Sequence, residues 1–296
     1  MLQLIVGHPL NRQNRVGALS RWVGWQGWKL MMRRPITYEY WDGLRVRVYP
    51  DWPYSWAAVY LRLPEFDDMM FTLRYLQVGD AFIDVGANIG LYSLLASSVN
   101  GAAPVFAYEP HPIASERLRE NVILNSLNNV VVRPVAVGDV VSAGRLSANL
   151  VDQNRLEAAN ENFRDTLSVP IVTLDSEVST QGIDPAKVAL VKVDTEGFEA
   201  RVLVGAQQFL DANPGPVWLV ELTGLGHRYG SSDSAIHAIF TQHGYHPFRY
   251  LAAENRVIPD VAPDSSQGNL IFARRPQEVA ARLETALDRE RKIAGL

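Results

Sequence analysis

"FIDVGANIGLYSLLA", residues 82–96, decides the fold of this chain. An apolar run ends at Asp84, Gly86 and Gly90 follow, and apolar residues at helical spacing resume directly afterwards. This pattern predicts a strand, a tight turn and the first turn of a helix. Turns of this kind commonly bind a nucleotide, because glycine allows a positive φ and a close approach of the backbone to a ligand.

Strand and helix patterns alternate outward from this stretch, from about residue 80 onward. Seven apolar runs predict strands within residues 81–86, 104–110, 129–137, 188–194, 216–222, 246–252 and 269–275. Helical patterns separate them near residues 89–99, 112–125, 199–210 and 233–243. The alternation predicts a mostly parallel sheet covered on both faces. The last two runs are joined without a helical pattern, which predicts an antiparallel hairpin at one edge of the sheet.

Three parts are predicted along the chain. Residues 1–60 form a basic and aromatic N-terminal extension, residues 61–276 form the main domain, and residues 277–296 form a C-terminal helix. Residues 145–175 interrupt the alternation with the polar stretch "SANLVDQNRLEAANENFRDT", which predicts an insertion or loop. A further strand is predicted directly after it, at "SVPIVTLD".

Composition and charge narrow the class of protein. No cysteine is present, which excludes disulfides and thiolate metal sites and favours a reducing compartment such as the cytoplasm. The net charge is −4, but the first 50 residues carry eight Lys and Arg against Glu39 and Asp42, a charge of +6, so the remainder carries −10. Because an acidic domain repels phosphate, no nucleic-acid partner is expected. Neither a signal peptide nor a transmembrane segment is predicted.

The basic extension contains Trp22, Trp25 and Trp28, spaced three residues apart. Two interpretations fit this spacing: a helix on a membrane surface, or a helix whose tryptophans pack on the main domain. Gly24 and Gly27 weaken an isolated helix. We therefore expect packing on the main domain, with weak peripheral membrane contact left open.

Glu109 and Asp84 narrow the choice of nucleotide. Glu109 ends the second predicted strand, 25 residues after Asp84, where a carboxylate accepts hydrogen bonds from both ribose hydroxyls of NAD or of an adenosine cofactor. A negative charge at Asp84, beside the turn, repels a pyrophosphate at short range. S-adenosylmethionine has no phosphate and carries two positive groups, so these acids favour it over NAD.

Six motifs, in order, resemble the FkbM family of S-adenosylmethionine-dependent methyltransferases over about residues 60–225. They are "FIDVGANIGLYSLLAS", "VFAYEPHP", "ENVILNSL", "PVAVGD", "VTLDS" and "LVKVDTEGFEARVLVGA". The resemblance implies the class I (Rossmann-like) methyltransferase fold, an α/β fold with a seven-stranded, mostly parallel sheet and an antiparallel edge strand. It also implies O-methylation of hydroxyls on sugars, glycans or natural products.

The resemblance further implies positions for S-adenosylmethionine. The methionine end is expected along the turn, at Asp84, Gly86, Ala87, Asn88 and Gly90. The ribose is expected at Glu109 and the neighbouring Pro110, and the adenine beside Ala136 and Val137, in "PVAVGD" after the third strand.

Carboxylates at strand ends are the candidate catalytic groups. Asp194 and Glu196 follow the fourth strand, and Glu221 ends the fifth. Together they are able to hold a divalent cation, or one of them acts as a general base. In a third interpretation Asp194 binds the cofactor, Glu196 caps the next helix and Glu221 is structural. We predict Asp194 as both a cofactor-binding and a catalytic residue, Glu221 as a catalytic residue, and no resident metal.

Two further side chains near the strand ends are able to carry a charge. His227 follows the fifth strand in "TGLGHRYG" and is a third catalytic candidate, since a histidine of ordinary pKa accepts a proton near neutral pH. Lys192 alternates with Val191 and Val193, so we expect it to pair with an acid.

Several functional alternatives stay open at this point. One is an NAD-dependent oxidoreductase, and another is a methyltransferase-like binding protein without activity. The expected partner is a small-molecule or glycan acceptor, whose identity the sequence does not indicate, and N- or C-methylation is also compatible with it. Nothing in the sequence indicates the oligomeric state.

Overall fold

A computed structural model describes residues 2–148, 155–158, 161–260 and 268–294. Its strands, in chain order, are β1 Ile36–Trp41, β2 Leu44–Val48, β3 Ala81–Val85, β4 Val105–Tyr108, β5 Val130–Arg133, β6 Ala136–Val137, β7 Ser142–Ser147, β8 Thr166–Val172, β9 Val188–Val193, β10 Val217–Leu222, β11 His246–Leu251, β12 Arg256–Pro259 and β13 Gly268–Ala273.

Helices connect and cover these strands. The α-helices are α1 Leu2–Gly7, α2 Arg15–Met31, α3 Pro53–Leu61, α4 Phe66–Tyr75, α5 Leu91–Val99, α6 Pro112–Leu124, α7 Leu174–Gln181, α8 Glu199–Val204, α9 Gln207–Asp211, α10 Asp233–Gln242 and α11 Pro276–Ala294. Short 3-10 helices span Pro9–Asn11, Pro185–Lys187 and Leu225–Tyr229.

The central sheet has the strand order of the class I methyltransferase fold. From one edge to the other, the order is β12-β11-β13-β10-β9-β3-β4-β5. β3, β4, β5, β9 and β10 are parallel, while β13 runs antiparallel to β10 and to β11. The expected fold is therefore confirmed, including the antiparallel pairing of the last two predicted strands.

The sheet differs from the expected one by an additional strand. The expected number was seven, but β12 pairs with β11 and makes eight strands in the described part of the chain. β12 therefore occupies the antiparallel edge position expected for the last strand, and β13 lies inside the sheet. The sequence "RVIP" of β12 has four residues, too few for an alternating pattern to stand out.

Successive residues of each central strand supply opposite layers of the core, as the period of two in a strand requires. Phe82 and Leu190 join a cluster with the N-terminal elements and α11, whereas Ile83 and Val191 join a cluster with α8, α9 and α10. Both faces of the sheet are thus covered, which leaves the carboxyl ends of the parallel strands for a binding site.

A second, three-stranded sheet has the order β6-β8-β7. β7 and β8 form an antiparallel pair, and Leu146, Leu156 and Ile171 make a small core beneath it. The strand predicted at "SVPIVTLD" is therefore present as β8. The polar insertion predicted for residues 145–175 is in part this pair, while residues 149–154 and 159–160 lie outside the described residues.

The tryptophans of helix α2 belong to an apolar cluster that extends from the N-terminal helices to the central sheet. Trp25 is 3% exposed, and Trp22 and Trp28 are part-buried against the same apolar cluster. The β1–β2 hairpin continues this packing, because the Tyr40 hydroxyl donates to the carbonyl of Leu91 at 2.8 Å. Of the helices described, none is both long enough and apolar enough to span a bilayer.

Candidate active site

The turn after β3 has the backbone geometry that its sequence requires. Gly86, Asn88 and Gly90 have φ values of +79°, +50° and +88°. A Cβ atom at Gly86 would lie 1.7 Å from the carbonyl oxygen of Asp194, so only glycine fits there. The turn thus packs directly on the end of β9, and this contact brings the glycine motif next to Asp194.

Glu109 joins this turn to the end of β4. Its two carboxylate oxygens accept hydrogen bonds from the backbone N–H groups of Asn88 and His111, both at 2.8 Å. Burial raises the pKa of Glu109 to about 7, although these two bonds oppose the rise. Each oxygen retains a second lone pair, so the carboxylate is held in place and is still able to accept bonds from a diol.

Trp52 is part of this site although nothing in the sequence marks it. Its indole N–H donates to the side-chain oxygen of Asn88 at 2.8 Å, and its ring lies 5.8 Å from that of His111. The Arg117 guanidinium packs on the same ring, 4.8 Å from the ring centre, and pairs with Asp51 at 3.0 Å. A residue of the N-terminal extension thus contacts both segments that hold Glu109.

Asp84 and Lys192 are neighbours in register on β3 and β9. Asp84 is fully buried and accepts a hydrogen bond from Ser93 Oγ at 2.6 Å, and burial raises its pKa against the opposing charge of Lys192. The Lys192 ammonium donates to Asp194 Oδ2 at 2.8 Å. Burial alone would lower the pKa of Lys192, but the charges of Asp194 and Asp84 outweigh it and raise that pKa. The acidic partner expected for Lys192 is Asp194.

Three carboxylates meet at the carboxyl ends of β9 and β10. One oxygen each of Asp194, Glu196 and Glu221 lies within 4.8 Å of the other two. Glu221 Oε2 is buried and has no hydrogen-bond partner among the described residues. Burial, with the charges of Asp194 and Glu196 added, raises the pKa of Glu221 to about 10. A neutral Glu221 at pH 7 is a hydrogen-bond donor, so this acid becomes a base only after a positive charge enters the cluster.

The turn between β9 and α8 is held by Glu199, the first residue of the helix. Glu199 Oε1 accepts hydrogen bonds from the backbone N–H groups of Thr195 and Gly197, at 2.9 and 3.0 Å. Glu196 has φ +56° in the same turn and lines the cleft.

His227 is the predicted candidate that lies apart from the others. It is exposed on the 3-10 helix Leu225–Tyr229, and its Nδ1 is 2.7 Å from the carbonyl oxygen of Gly224. His227 is absent from the described lining of the cleft. Asp84 and Gly90 are also absent from this lining, since Asp84 contacts Ser93 and Gly90 faces Leu118.

A single cleft, open to solvent at its mouth, contains the remaining candidates. Those in its lining are Gly86, Ala87, Asn88, Glu109, Pro110, Ala136, Val137, Asp194 and Glu221. Side chains in the lining that sequence reasoning missed are Trp52, Tyr54, Glu65, Tyr92, Arg155 and Phe198. Four of them come from segments that carry no motif, whereas Tyr92 and Phe198 stand within the quoted motifs.

One part of the cleft is lined by apolar residues and another part by carboxylates. Ala136, Val137, Leu146 and Phe198 give it an apolar part, suited to a flat aromatic ring. Glu65 belongs to its acidic part, where both of its oxygens accept hydrogen bonds from tyrosine hydroxyls, Tyr92 at 2.7 Å and Tyr54 at 3.3 Å. Five carboxylates and two cations line the cleft: Glu65, Glu109, Asp194, Glu196, Glu221, Lys192 and Arg155. This excess of negative charge favours a positively charged ligand.

Comparisons with known proteins agree with this description. The family described as "Methyltransferase FkbM domain" matches residues 84–247, more than half of the chain. Hexuronic acid methyltransferase AglP of Haloferax volcanii is 31% identical over 150 residues, which are 50% of this chain and 59% of that protein. 31-O-demethyl-FK506 methyltransferase FkbM of Streptomyces tacrolimicus is 26% identical over 162 residues, 45% of this chain and 61% of that protein.

The match covers about three fifths of the length of each of these two relatives. Among solved structures, a SAM-dependent O-methyltransferase of Thermotoga maritima aligns with a TM-score of 0.38 and 14% identity, over 71% of this chain and 64% of that one. A likeness this distant adds nothing to what the strand order shows.

Proposed function

Because this chain belongs to the FkbM family of methyltransferases, we propose that it transfers a methyl group from S-adenosylmethionine to a hydroxyl oxygen of a sugar, glycan or other natural product. The observation that carries the proposal is the cleft in which Glu109, held by two backbone N–H groups, stands between an apolar part and a cluster of carboxylates.

The residues of the cleft fit S-adenosylmethionine chemically. Glu109 offers a fixed acceptor for the ribose hydroxyls, and Ala136 and Val137 offer an apolar border for the adenine. Asp194 supplies negative charge near the expected place of the sulfonium and ammonium groups. Glu221 Oε2 is buried and has no hydrogen-bond partner among the described residues, so a positive ligand beside it would favour the ionised form of this acid.

S-adenosylmethionine supplies an electrophilic methyl group when it is bound. The chain has to hold the acceptor oxygen in line with that group and to accept the proton that the hydroxyl loses. Asp194 is already paired with Lys192, which suits it to positioning. Glu221, whose Oε2 has no hydrogen-bond partner among the described residues, is better suited to receive the proton once a positive ligand has lowered its pKa.

The comparisons support the class of acceptor. The two relatives act, by their names, on hexuronic acid and on an O-demethylated FK506. We carry over only what these two acceptors share, a hydroxyl on a sugar or a natural product. His227 stays a secondary candidate for the base, because its exposed position puts it outside the described lining of the cleft.

The expectations about partners and location remain part of this proposal. The acidic lining of the cleft supports a small-molecule or glycan acceptor and disfavours nucleic acid. The lack of cysteine among 296 residues supports a cytoplasmic location. A divalent cation at Asp194, Glu196 and Glu221 is not favoured, because Asp194 is already paired with the Lys192 ammonium.

Isothermal titration with S-adenosylhomocysteine and with NAD tests the cofactor. We expect binding of S-adenosylhomocysteine only, and binding of NAD alone would refute the proposal in favour of an oxidoreductase. Transfer of a labelled methyl group to a panel of uronic acids, sugars and hydroxylated macrolides tests the activity. Cofactor binding without transfer to any acceptor, in the presence or absence of Mg²⁺, would favour a binding protein that lacks chemistry.

A further inference from the structure

Helix α2 leaves an apolar face uncovered on the side opposite its buried tryptophan. Val16, Val23 and Leu30 follow one another at intervals of seven residues and are 80%, 59% and 74% exposed. Met31, next to Leu30, is 82% exposed. Residues seven apart lie on nearly the same side of an α-helix, so these side chains form one stripe, which we call the α2 stripe.

The α2 stripe is free of charge along its length. Between Val16 and Leu30 the same side of the helix carries Ser20, Gly24 and Gly27, and a Cβ atom at either glycine would have no neighbour within 4 Å. Trp25 and Ala18, on the other side, are 3% and 0% exposed. The helix is therefore held by its tryptophan side, and its opposite side is not covered by any described residue.

Cations stand at both ends of the α2 stripe. Arg12 and Arg15 lie at its beginning and Arg33 and Arg34 at its end, and all four are exposed. Within the described residues, no ion pair joins any of the four to a carboxylate. The first 38 residues contain six Lys and Arg and no Asp or Glu. An apolar helix side flanked by unpaired cations is complementary to an anionic surface with an apolar interior.

A second copy of the chain fits this face less well. Pairing two α2 helices antiparallel would bring Arg12 and Arg15 of one copy against Arg33 and Arg34 of the other. Pairing them parallel would bring identical arginines together. Both arrangements place cation against cation, which costs free energy, whereas anionic lipid headgroups attract all four.

We propose that the α2 stripe docks on an anionic lipid bilayer, with Val16, Val23, Leu30 and Met31 entering the headgroup boundary and the flanking arginines contacting lipid phosphates. The sequence pattern left open whether the tryptophan side of this helix faces a membrane or packs on the protein. The structure assigns the two sides differently, since the tryptophans hold the helix to the protein and thereby turn the aliphatic side outward.

Vesicle flotation tests the proposal on the full chain. The vesicles are phosphatidylcholine alone or phosphatidylcholine with about 30% phosphatidylglycerol, at low salt and at about 0.5 M NaCl, where screening shortens the Debye length. The variant V23E/L30E places two carboxylates on the stripe. The matched control V78E/I123E changes the charge equally at side chains that are 80% and 75% exposed elsewhere. None of the four positions lines the cleft.

We expect the wild type and V78E/I123E to float with anionic vesicles only, and less at high salt. V23E/L30E should lose about tenfold or more in partitioning, because two apolar side chains no longer enter the bilayer and two carboxylates face anionic lipid. Unchanged titration with S-adenosylhomocysteine would show that each variant is folded, if the proposed cofactor is correct, and circular dichroism shows it independently.

Two kinds of outcome would overturn the proposal. One is a wild type that does not float with anionic vesicles, or a control variant that loses binding as much as V23E/L30E does. The other is a dimer, seen by light scattering, that V23E/L30E dissociates, which would assign the stripe to a second copy. The cofactor and activity experiments are independent of both, so failure here leaves the methyltransferase proposal standing.

Discussion

Individual carboxylates in the cleft differ because their neighbours differ. Glu109 accepts two backbone N–H groups, Asp194 faces a buried ammonium, and Glu221 has an oxygen without a partner among the described residues. Glu109, as a fixed acceptor, is suited to holding a diol. Asp194, as a paired charge, is suited to positioning a cation, and Glu221, as a protonated acid, is suited to exchanging a proton.

Replacing Glu109 with alanine should weaken binding of S-adenosylhomocysteine by about tenfold or more, because the charged acceptor for the ribose hydroxyls is lost. The melting temperature should also fall, since the N–H groups of Asn88 and His111 lose their acceptor. Isothermal titration gives both the dissociation constant and, through the stoichiometry, the folded fraction. Glu116→Ala, an exposed carboxylate on α6, is the matched control. Equal affinity in the two variants would remove Glu109 from the ribose site.

If Asp194 acts on the acceptor, replacing it with asparagine should reduce kcat by about a hundredfold or more. If Asp194 only positions the cofactor, the same change should mainly weaken cofactor binding. Either way the variant should be less stable, because the buried ammonium of Lys192 loses its partner. Steady-state kinetics and thermal unfolding measure the two effects separately.

The double variant K192M/D194N separates the stability of the pair from its chemistry. It should regain part of the lost stability, because the buried ammonium of Lys192 is removed together with its partner, and should stay inactive. Full recovery of activity would mean that Asp194 serves only to neutralise Lys192. EDTA on the wild type distinguishes a base from a metal ligand, since only a metal-dependent enzyme loses activity with it.

At the scale of elements, the site depends on contacts between segments distant in sequence. The turn after β3 touches the end of β9 at Gly86, and the segment before α3 reaches the same turn through Trp52. The N-terminal extension is thus a wall of the cleft as well as a support for α5 and α6. This predicts an effect on the cofactor from a residue outside the family match at 84–247.

Replacing Trp52 with phenylalanine should weaken binding of S-adenosylhomocysteine by about three- to tenfold, because the ring remains but the hydrogen bond to Asn88 is lost. Trp56→Phe is the control, since its indole donates to the carbonyl of Tyr49 and lies outside the described lining. In a double-mutant cycle with Asn88→Ala, the two changes should be less than additive in binding. Additive losses, or equal losses in the control, would contradict a positioning role for Trp52.

For the whole molecule, burial of acids in the cleft links folding to pH. The Glu221 carboxyl is protonated in the folded protein up to a pKa of about 10 but loses its proton near pH 4.5 in the unfolded chain. Between these values the folded state binds more protons than the unfolded state, so the free energy of unfolding falls as the pH rises.

The free energy of unfolding of the protein without cofactor should therefore decrease from pH 7 to pH 9, by at most about 1.4 kcal/mol per pH unit from this group. The histidine pKa values lowered by burial, those of His8, His111 and His237, lie below this window. Denaturant titrations at pH 7, 8 and 9 measure the slope, and Glu221→Gln should flatten it. A wild-type stability that is constant or rises over this range would mean that Glu221 is ionised at neutral pH.

The local sequence was enough for the fold and for most of the predicted positions that line the cleft. Glycines at 86 and 90 and apolar runs at strand spacing are direct consequences of backbone sterics and burial, so they can be read without the tertiary structure. The order of the motifs then placed Glu109, Ala136, Val137 and Asp194, all of which line one cleft. The strand that escaped prediction, Arg256–Pro259, is short and lies at the sheet edge, where burial imposes little pattern.

Only the tertiary structure decided which distant side chains share the cleft and which side of α2 faces outward. Trp52 and Glu65 reach the site from the N-terminal part of the chain, and His227 turns out to be exposed, because loop and helix packing sets these positions and leaves no local spacing. Glu221 and Glu196 are ordinary carboxylates in the sequence, and proximity and burial alone raise the pKa of Glu221. Local sterics and burial act through near neighbours in sequence, whereas electrostatics and packing act through neighbours in space.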